Sequence, residues 1–205
     1  MRVYTKILLS LISFLLSIYC VHGQTGSAYA KAIKKHRRQY LKELAADPRH
    51  PATKSQIKKI RFFPADEKWR VKGNFSLTPD SKPFDMATSA GTTKTYIKYG
   101  VATFNLMDTT LQLEVYQSLQ LRKMPGLEDY LFIPFNDETN GESTYGGGRY
   151  LDIRIGDILD GSLILDFNKA YNPYCAYSAG FQCPIPPIEN HLGVAIEAGE
   201  KVQEH

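Results

Sequence analysis

The sequence lacks the short motifs that most directly indicate catalysis. It contains no G-x-S-x-G nucleophile turn and no H-E-x-x-H zinc helix, and no cysteine–histidine pairing is legible. A strong net charge is also missing, because the chain has 25 basic and 21 acidic residues. Two of the basic residues lie within the first 23 positions, so the rest of the chain has 23 basic and 21 acidic residues. Near neutrality gives no electrostatic case for nucleic acid, so we predict no nucleic-acid partner.

Long apolar runs are absent except at the start of the chain. Arg2 and Lys6 precede the run "ILLSLISFLLSIY", and small residues up to Gly23 follow it. This order is typical of a secretory signal peptide, and the run is short for a membrane helix. We therefore predict a signal peptide over residues 1–23, cleavage near Gly23, a secreted or periplasmic product, and no stable membrane span afterwards. A retained membrane anchor is the alternative.

Cysteine is scarce, with three residues in the chain. Cys20 would leave with the signal peptide, so Cys175 and Cys183 would remain as a pair. An oxidising compartment favours a disulfide between them. Free thiols or a metal site are the alternatives, but zinc requires four ligands and His191 is the one histidine nearby. We predict neither a metal site nor a cofactor.

We predict that the chain divides into an N-terminal helix with its linker, residues 24–54, and a single β-rich domain, residues 55–205. Within residues 27–47 a stripe at helical spacing indicates an amphipathic helix, which Asp47 and Pro48 end. The members of this stripe are Ala30, Ile33, Arg37, Tyr40, Leu41 and Leu44.

Alternation with a period of two replaces the helical pattern from Trp69 onward, which indicates short strands with one dry face. A four-residue loop, "MDTT", would place Phe104 opposite Leu113 across a hairpin. Many short strands after one helix predict a mainly β fold: a curled antiparallel sheet, barrel-like or sandwich-like, with an N-terminal amphipathic helix.

Two acidic residues lie on the last two predicted strands. If these strands form a hairpin with their apolar faces aligned, Asp152 lies opposite Asp166. Facing carboxylates have separated pKa values and are therefore candidates for a general acid and a general base. The alternative is that both lie on a solvated face and are bridged by arginine.

Polar, aromatic and glycine residues concentrate beside these strands, in "TYGGGRYLD" and "LDFNKAYNPYCAYSAGFQCPIPPIEN". A rigid sheet can position such residues as the rim of a binding site. The predicted rim consists of Tyr145, Arg149, Asp152, Asp166, Asn168, Tyr171 and Asn172.

Three segments, "LFIPFNDETNGESTYGGGRYLD", "LDFNKAYNPYCAYSAGFQCPIPPIENHL" and "IEAGE", resemble the family called domain of unknown function 1684. The likeness is strong from about Leu131 to Glu200. It implies that the rim residues, Asp137 and both cysteines match family motifs, but it assigns no activity to any of them. His191 stands where the resemblance leads us to expect arginine.

Three functions follow as hypotheses. The first is an exported domain that binds a small-molecule or glycan-like ligand, small or extended, at the rim. The second is a hydrolase that uses Asp152 or Asp166, and the third is a structural module with a disulfide-pinned loop. The sequence leaves open whether the protein is an enzyme, which ligand it takes and its oligomeric state.

Overall fold

The computed structural model describes residues 28–202, so the predicted signal peptide and its cleavage site lie outside the described residues. Helix α1 covers residues 28–46 and helix α2 covers Lys54–Lys59. The predicted stripe of α1 faces the protein, where Ile33 and Leu44 are buried. None of the helices within residues 28–202 is long and apolar enough to cross a membrane.

Eight strands form one sheet, and nearly all pairs are antiparallel. The strands are β1 Arg70–Leu77, β2 Phe84–Ala87, β3 Thr93–Leu106, β4 Thr109–Ser118, β5 Tyr130–Asp137, β6 Arg149–Arg154, β7 Ser162–Asp166 and β8 His191–Leu192. Six of them run in the order β6-β5-β4-β3-β1-β7, while β2 pairs with β3 and β8 pairs in parallel with β5. The sheet curls into a half-barrel, which confirms the predicted mainly β fold with its N-terminal helix.

The β3–β4 hairpin has a tighter turn than the four-residue loop that we predicted. Met107 and Asp108 both have positive φ, at 50° and 60°. These angles are typical of the two-residue turn that matches strand twist. Phe104 therefore lies opposite Leu111, and Leu113 lies opposite Ala102. The shift is two residues, so the apolar side chains keep the predicted face.

The predicted hairpin between the last two long strands was wrong. Strand β6 pairs with β5, and β7 pairs with β1, so the two strands lie at opposite ends of the strand order. A short 3-10 helix, Ile155–Asp157, ends β6, and Asp157 accepts a hydrogen bond from the backbone N–H of Arg154 there. The chain then leaves β6 instead of turning back along it.

The two ends of the strand order nevertheless meet at one point. After β7 the chain returns to β6, where Tyr150 and Tyr171 form an isolated antiparallel bridge. Both backbone hydrogen bonds of this bridge are made, at 2.9 and 3.1 Å. The bridge brings the segment that follows β7 beside the outer edge of β6.

The two faces of the sheet bury different side chains. One face carries the aliphatic core, which includes Leu113, Ile133 and Leu165. The other face carries an aromatic cluster of Met86, Tyr96, Tyr116, Phe132 and Tyr150. Helix α1 packs through Tyr40, Leu41 and Leu44 into a third cluster, together with Ile60 and Tyr177. Alternation along β5 and β6 decides which side chain joins which cluster.

Candidate functional site

The aromatic face of the sheet is built from alternate residues of β5 and β6. Phe132 stacks on Tyr96 with a ring-centroid distance of 5.8 Å, and it meets Tyr150 edge-on at 4.7 Å. Tyr150 in turn contacts Tyr171 edge-on at 5.8 Å. These distances lie in the favourable range for aromatic pairs, so the rings form a fixed surface.

Asp152 lies on the same face, because it follows Tyr150 by two residues on β6. Its Oδ1 accepts hydrogen bonds from the hydroxyls of Tyr130, at 2.7 Å, and Tyr171, at 2.8 Å. Tyr171 also reaches Oδ2 at 2.9 Å. Two phenols that approach from different elements hold the carboxylate in one orientation.

Asp152 is exposed to solvent, but the protein around it removes part of its hydration. This desolvation raises the pKa of the Asp152 carboxyl, while the hydrogen bonds from Tyr130 and Tyr171 and the charge of Arg154 oppose the rise. Burial, followed by the Asp152 charge, raises the pKa of both phenols well above the ordinary value. The tyrosines therefore remain protonated and donate their hydrogen bonds to the Asp152 carboxyl group.

A cleft of about 850 Å³ opens over this surface, and we call it the aromatic cleft. Its floor contains Phe132, Tyr150 and Asp152, and one wall is the end of α1, with Glu43 and Ala46. A smaller cleft of about 480 Å³ adjoins it and shares Asp152 and Glu43. The carboxylate is therefore accessible from two sides.

The opposite wall is the disulfide loop, residues 173–184. The disulfide between Cys175 and Cys183 closes this loop, as the compartment argument predicted. The backbone carbonyl of Cys183 accepts a hydrogen bond from the Ser89 N–H at 2.9 Å, which ties the loop to the β2–β3 connection. Phe181 packs edge-on against Tyr174 at 5.2 Å, and both line the cleft. The loop is thus a shaped wall fixed to the sheet.

Arg149 lies away from this cleft, on the aliphatic side of β6. Its side chain is fully buried and forms an ion pair of 2.7 Å with Asp137, which is also fully buried. It further donates to the carbonyl oxygens of Ile196, at 2.8 Å, and Ala198. Arg149 therefore fastens the segment after β8 to the sheet, and the structure does not bring it together with Asp152.

Asp166 and Asn168 form a second buried polar group, under α1. The hydroxyl of Tyr29 donates to Asp166 at 2.8 Å, and the side-chain amide of Asn168 donates to Tyr29 at 2.8 Å. Arg37 of α1 reaches the Asn168 carbonyl at 3.2 Å. These bonds dock the helix, so Asp166 and Asp152 serve different clusters.

The remaining predicted rim residues have structural partners. The side-chain amide of Asn172 donates to the Lys201 carbonyl at 3.0 Å, and its backbone N–H donates to Glu200 at 3.1 Å. Tyr145 is half-buried, and its carbonyl accepts from the Asn140 side chain at 3.1 Å within the glycine turn. Among the predicted rim residues, Asp152 and Tyr171 are the two that line the aromatic cleft.

The sequence interpretation missed three aromatic residues of the cleft floor, Tyr130, Phe132 and Tyr150. Pro134 within the run "YLFIPF" indicates an edge strand, which directs attention away from the side chains of this run. The signal that could have found them is the parity of β5 and β6, since Tyr130, Phe132 and Tyr150 share even numbers with Asp152, while the odd-numbered residues are mostly aliphatic.

Residues 28–202 contain no group of three or more histidine, cysteine, aspartate or glutamate side chains that could hold a metal ion.

The family described as "Protein of unknown function (DUF1684)" matches residues 55–201. No curated protein matches the sequence. The solution NMR structure of an uncharacterized protein of Haloarcula marismortui is similar, with a TM-score of 0.67 and 28% identity over 87% of this chain and 96% of that one.

Proposed function

The chain belongs to the DUF1684 family, whose description assigns no activity, and from the geometry we propose that it binds a small ligand in the aromatic cleft. The observation that carries the proposal is a cleft of about 850 Å³ whose aromatic floor includes the solvent-accessible carboxylate of Asp152. Ligand sites are commonly apolar concavities with a few fixed polar groups. The aromatic cleft has this composition.

The polar chemistry of the cleft limits the ligand. An ionised carboxylate is an acceptor only. Tyr130 and Tyr171 already donate to Asp152, and Oδ2 accepts from Tyr171 alone. The free acceptor capacity therefore suits a ligand with a hydrogen-bond donor, whose apolar or ring-shaped body lies on Phe132 and Tyr150.

The proposal is tested by filling the cleft without disturbing the core. Ala46 is exposed at the end of α1 and lines the cleft, whereas Ala45 is exposed beside it and does not line it. Thermal shifts would be measured across a metabolite and glycan panel for the original protein, Ala46→Trp and Ala45→Trp. We expect a ligand that stabilises the original protein and Ala45→Trp but fails to stabilise Ala46→Trp. Equal shifts in all three would place binding elsewhere and contradict the proposal.

A hydrolase is the second candidate, and the raised pKa of Asp152 favours it. A carboxyl group with a raised pKa transfers protons better near neutral pH. We expect the hydrolysis rate to depend on pH with a limb that Asp152→Asn abolishes. The control Asp108→Asn, in the exposed β3–β4 turn, should leave this limb unchanged. A profile that Asp152→Asn leaves intact would exclude this carboxyl as the acid or base.

Export completes the proposal. The basic start, the apolar run that follows and the disulfide support a secreted or periplasmic protein. N-terminal sequencing of the mature protein from a fractionated cell should begin near Gln24. Recovery of the uncut chain in the membrane fraction would contradict export by cleavage.

A further inference from the structure

Asp152 has no cationic partner among the described residues. The ion pairs of this part of the chain do not include it. Arg154, whose charge is felt at Asp152, is paired with Asp129 at 2.6 Å. The carboxylate is therefore held by neutral phenols, and its charge is not neutralised by the protein.

The aromatic rings around Asp152 are suited to positive charge. Tyr96, Tyr130, Phe132, Tyr150 and Tyr171 all line the aromatic cleft. The face of an aromatic ring carries negative potential and attracts a cation within about 6 Å of its centroid. Asp152 is exposed to solvent and has no cationic partner within residues 28–202, so a bound cation gains a charge attraction with it that a neutral hydroxyl does not.

The basic side chains of the cleft do not supply that cation. Arg49 is paired with Asp47 at 2.6 Å, and its guanidinium lies over the Tyr174 ring at 4.8 Å. Lys94 also lines the cleft, where burial, followed by the neighbouring Arg49 charge, lowers its pKa. With Glu43, the cleft holds three acidic and two basic side chains, so its formal charge is negative.

We propose that the ligand of the aromatic cleft is a small organic cation, whose ammonium group pairs with Asp152 against the tyrosine rings and whose apolar body occupies the rest of the cleft. This inference rests on the proposed function and names the class of ligand. The positive charge lies beside the free position of Oδ2, and the rings of Tyr130 and Tyr171 flank it. A primary ammonium also donates a hydrogen bond to Oδ2, whereas a quaternary ammonium pairs with the carboxylate by charge alone.

The test compares a cation with its neutral isostere. Choline and 3,3-dimethylbutan-1-ol have nearly the same shape and differ in charge, and phenethylamine and 2-phenylethanol form a second pair. Ligand-observed NMR titrations of the unmodified protein measure both pairs, with cellobiose as a neutral saccharide. We expect each cation to bind about tenfold more tightly than its isostere, which is the size of one cation–π and carboxylate contact at a partly exposed site.

Two variants locate the effect. Asp152→Asn keeps the shape and an acceptor for the tyrosines but removes the charge, so the cation preference should fall to within about twofold. Asp108→Asn removes the same charge from the exposed β3–β4 turn and should keep the preference. Circular dichroism checks that both variants fold, and the isostere comparison in the unmodified protein does not depend on either.

The outcomes separate the inference from the proposed function. Equal binding of cations and isosteres, blocked by Ala46→Trp, would overturn the cationic ligand and leave the cleft as a binding site. If cations and isosteres bind equally and cellobiose binds more tightly than both, the cationic ligand would be overturned in favour of a saccharide. Failure of every probe to bind would count against both the cation and the site.

Discussion

The buried ion pair between Arg149 and Asp137 carries the most demanding prediction. Both side chains are fully buried, and Arg149 also donates to the carbonyl oxygens of Ile196 and Ala198. Replacing Arg149 by Met would leave the Asp137 charge without its partner in the interior. Breaking a buried pair from one side costs about 3–5 kcal/mol. For a domain of this size we expect the melting temperature to fall by about 6–20 °C.

Arg154 supplies the matched control. It forms an ion pair of 2.6 Å with Asp129, but the two side chains are 44% and 51% exposed. Surface pairs contribute about 0–1 kcal/mol, so Arg154→Met should cost much less than Arg149→Met. Urea unfolding at pH 7 measures both, with a comparison of the slopes to confirm that the unfolded states are alike.

A double variant separates lost charge from lost packing. Asp137→Asn combined with Arg149→Met leaves no unpaired charge, so it should be more stable than Arg149→Met alone. The reasoning would be refuted if Arg149→Met destabilised the protein by no more than Arg154→Met. In that case, Arg149 would not hold the segment after β8.

Three further predictions concern buried groups and tight turns. Burial raises the pKa of Glu200 from 4.5 to about 7, so Glu200 should contribute about 3 kcal/mol to the free energy of unfolding below pH 4.5 and lose this contribution as the pH rises through 7. Urea unfolding from pH 4.5 to 8 should show this loss, and Glu200→Gln should reduce the dependence on pH. Reduction of the Cys175–Cys183 bridge should lower the free energy of unfolding by about 2 to 3 kcal/mol, as calculated from loop closure over eight residues. Thermal melting with and without reductant measures this loss, and an unchanged melting temperature would contradict it. Gly199 has a φ of +75°, and a Cβ there would lie 2.6 Å from a backbone carbonyl oxygen, whereas Gly91 has a similar φ in open space. Gly199→Ala should therefore lower the free energy of unfolding in urea by about 2 kcal/mol more than Gly91→Ala does. Equal losses would exclude the close contact.

Local pattern predicted the elements of this fold better than their partners. The alternation that put Phe104 and Leu113 on one face was correct, but the sequence spacing did not reveal that Met107 and Asp108 form the whole turn. Both residues adopt positive φ. The usual sequence signal for such a two-residue turn is an asparagine–glycine pair, which this hairpin lacks. The β6–β7 hairpin failed for a related reason, because a 3-10 turn at Ile155–Asp157 redirects the chain.

The candidate site could be predicted only in part. Asp152 and Tyr171 were named from the concentration of polar residues beside strand ends, and both line the cleft. Arg149 was grouped with them because it follows a glycine turn, although its parity with Leu151 places it on the aliphatic side. Its partner, Asp137, lies twelve residues away on another strand, and no local pattern indicates that a charge will be neutralised there.

Helix α1 gives this architecture a way to diverge. The helix precedes the segment by which relatives are recognised, and yet Glu43 and Ala46 border the cleft. Its docking depends on partly buried hydrogen bonds that Tyr29 and Arg37 make on other turns of the helix. Replacement of the bordering side chains can therefore alter which molecules enter while the half-barrel stays intact. Across relatives, we expect selectivity to drift more quickly than architecture.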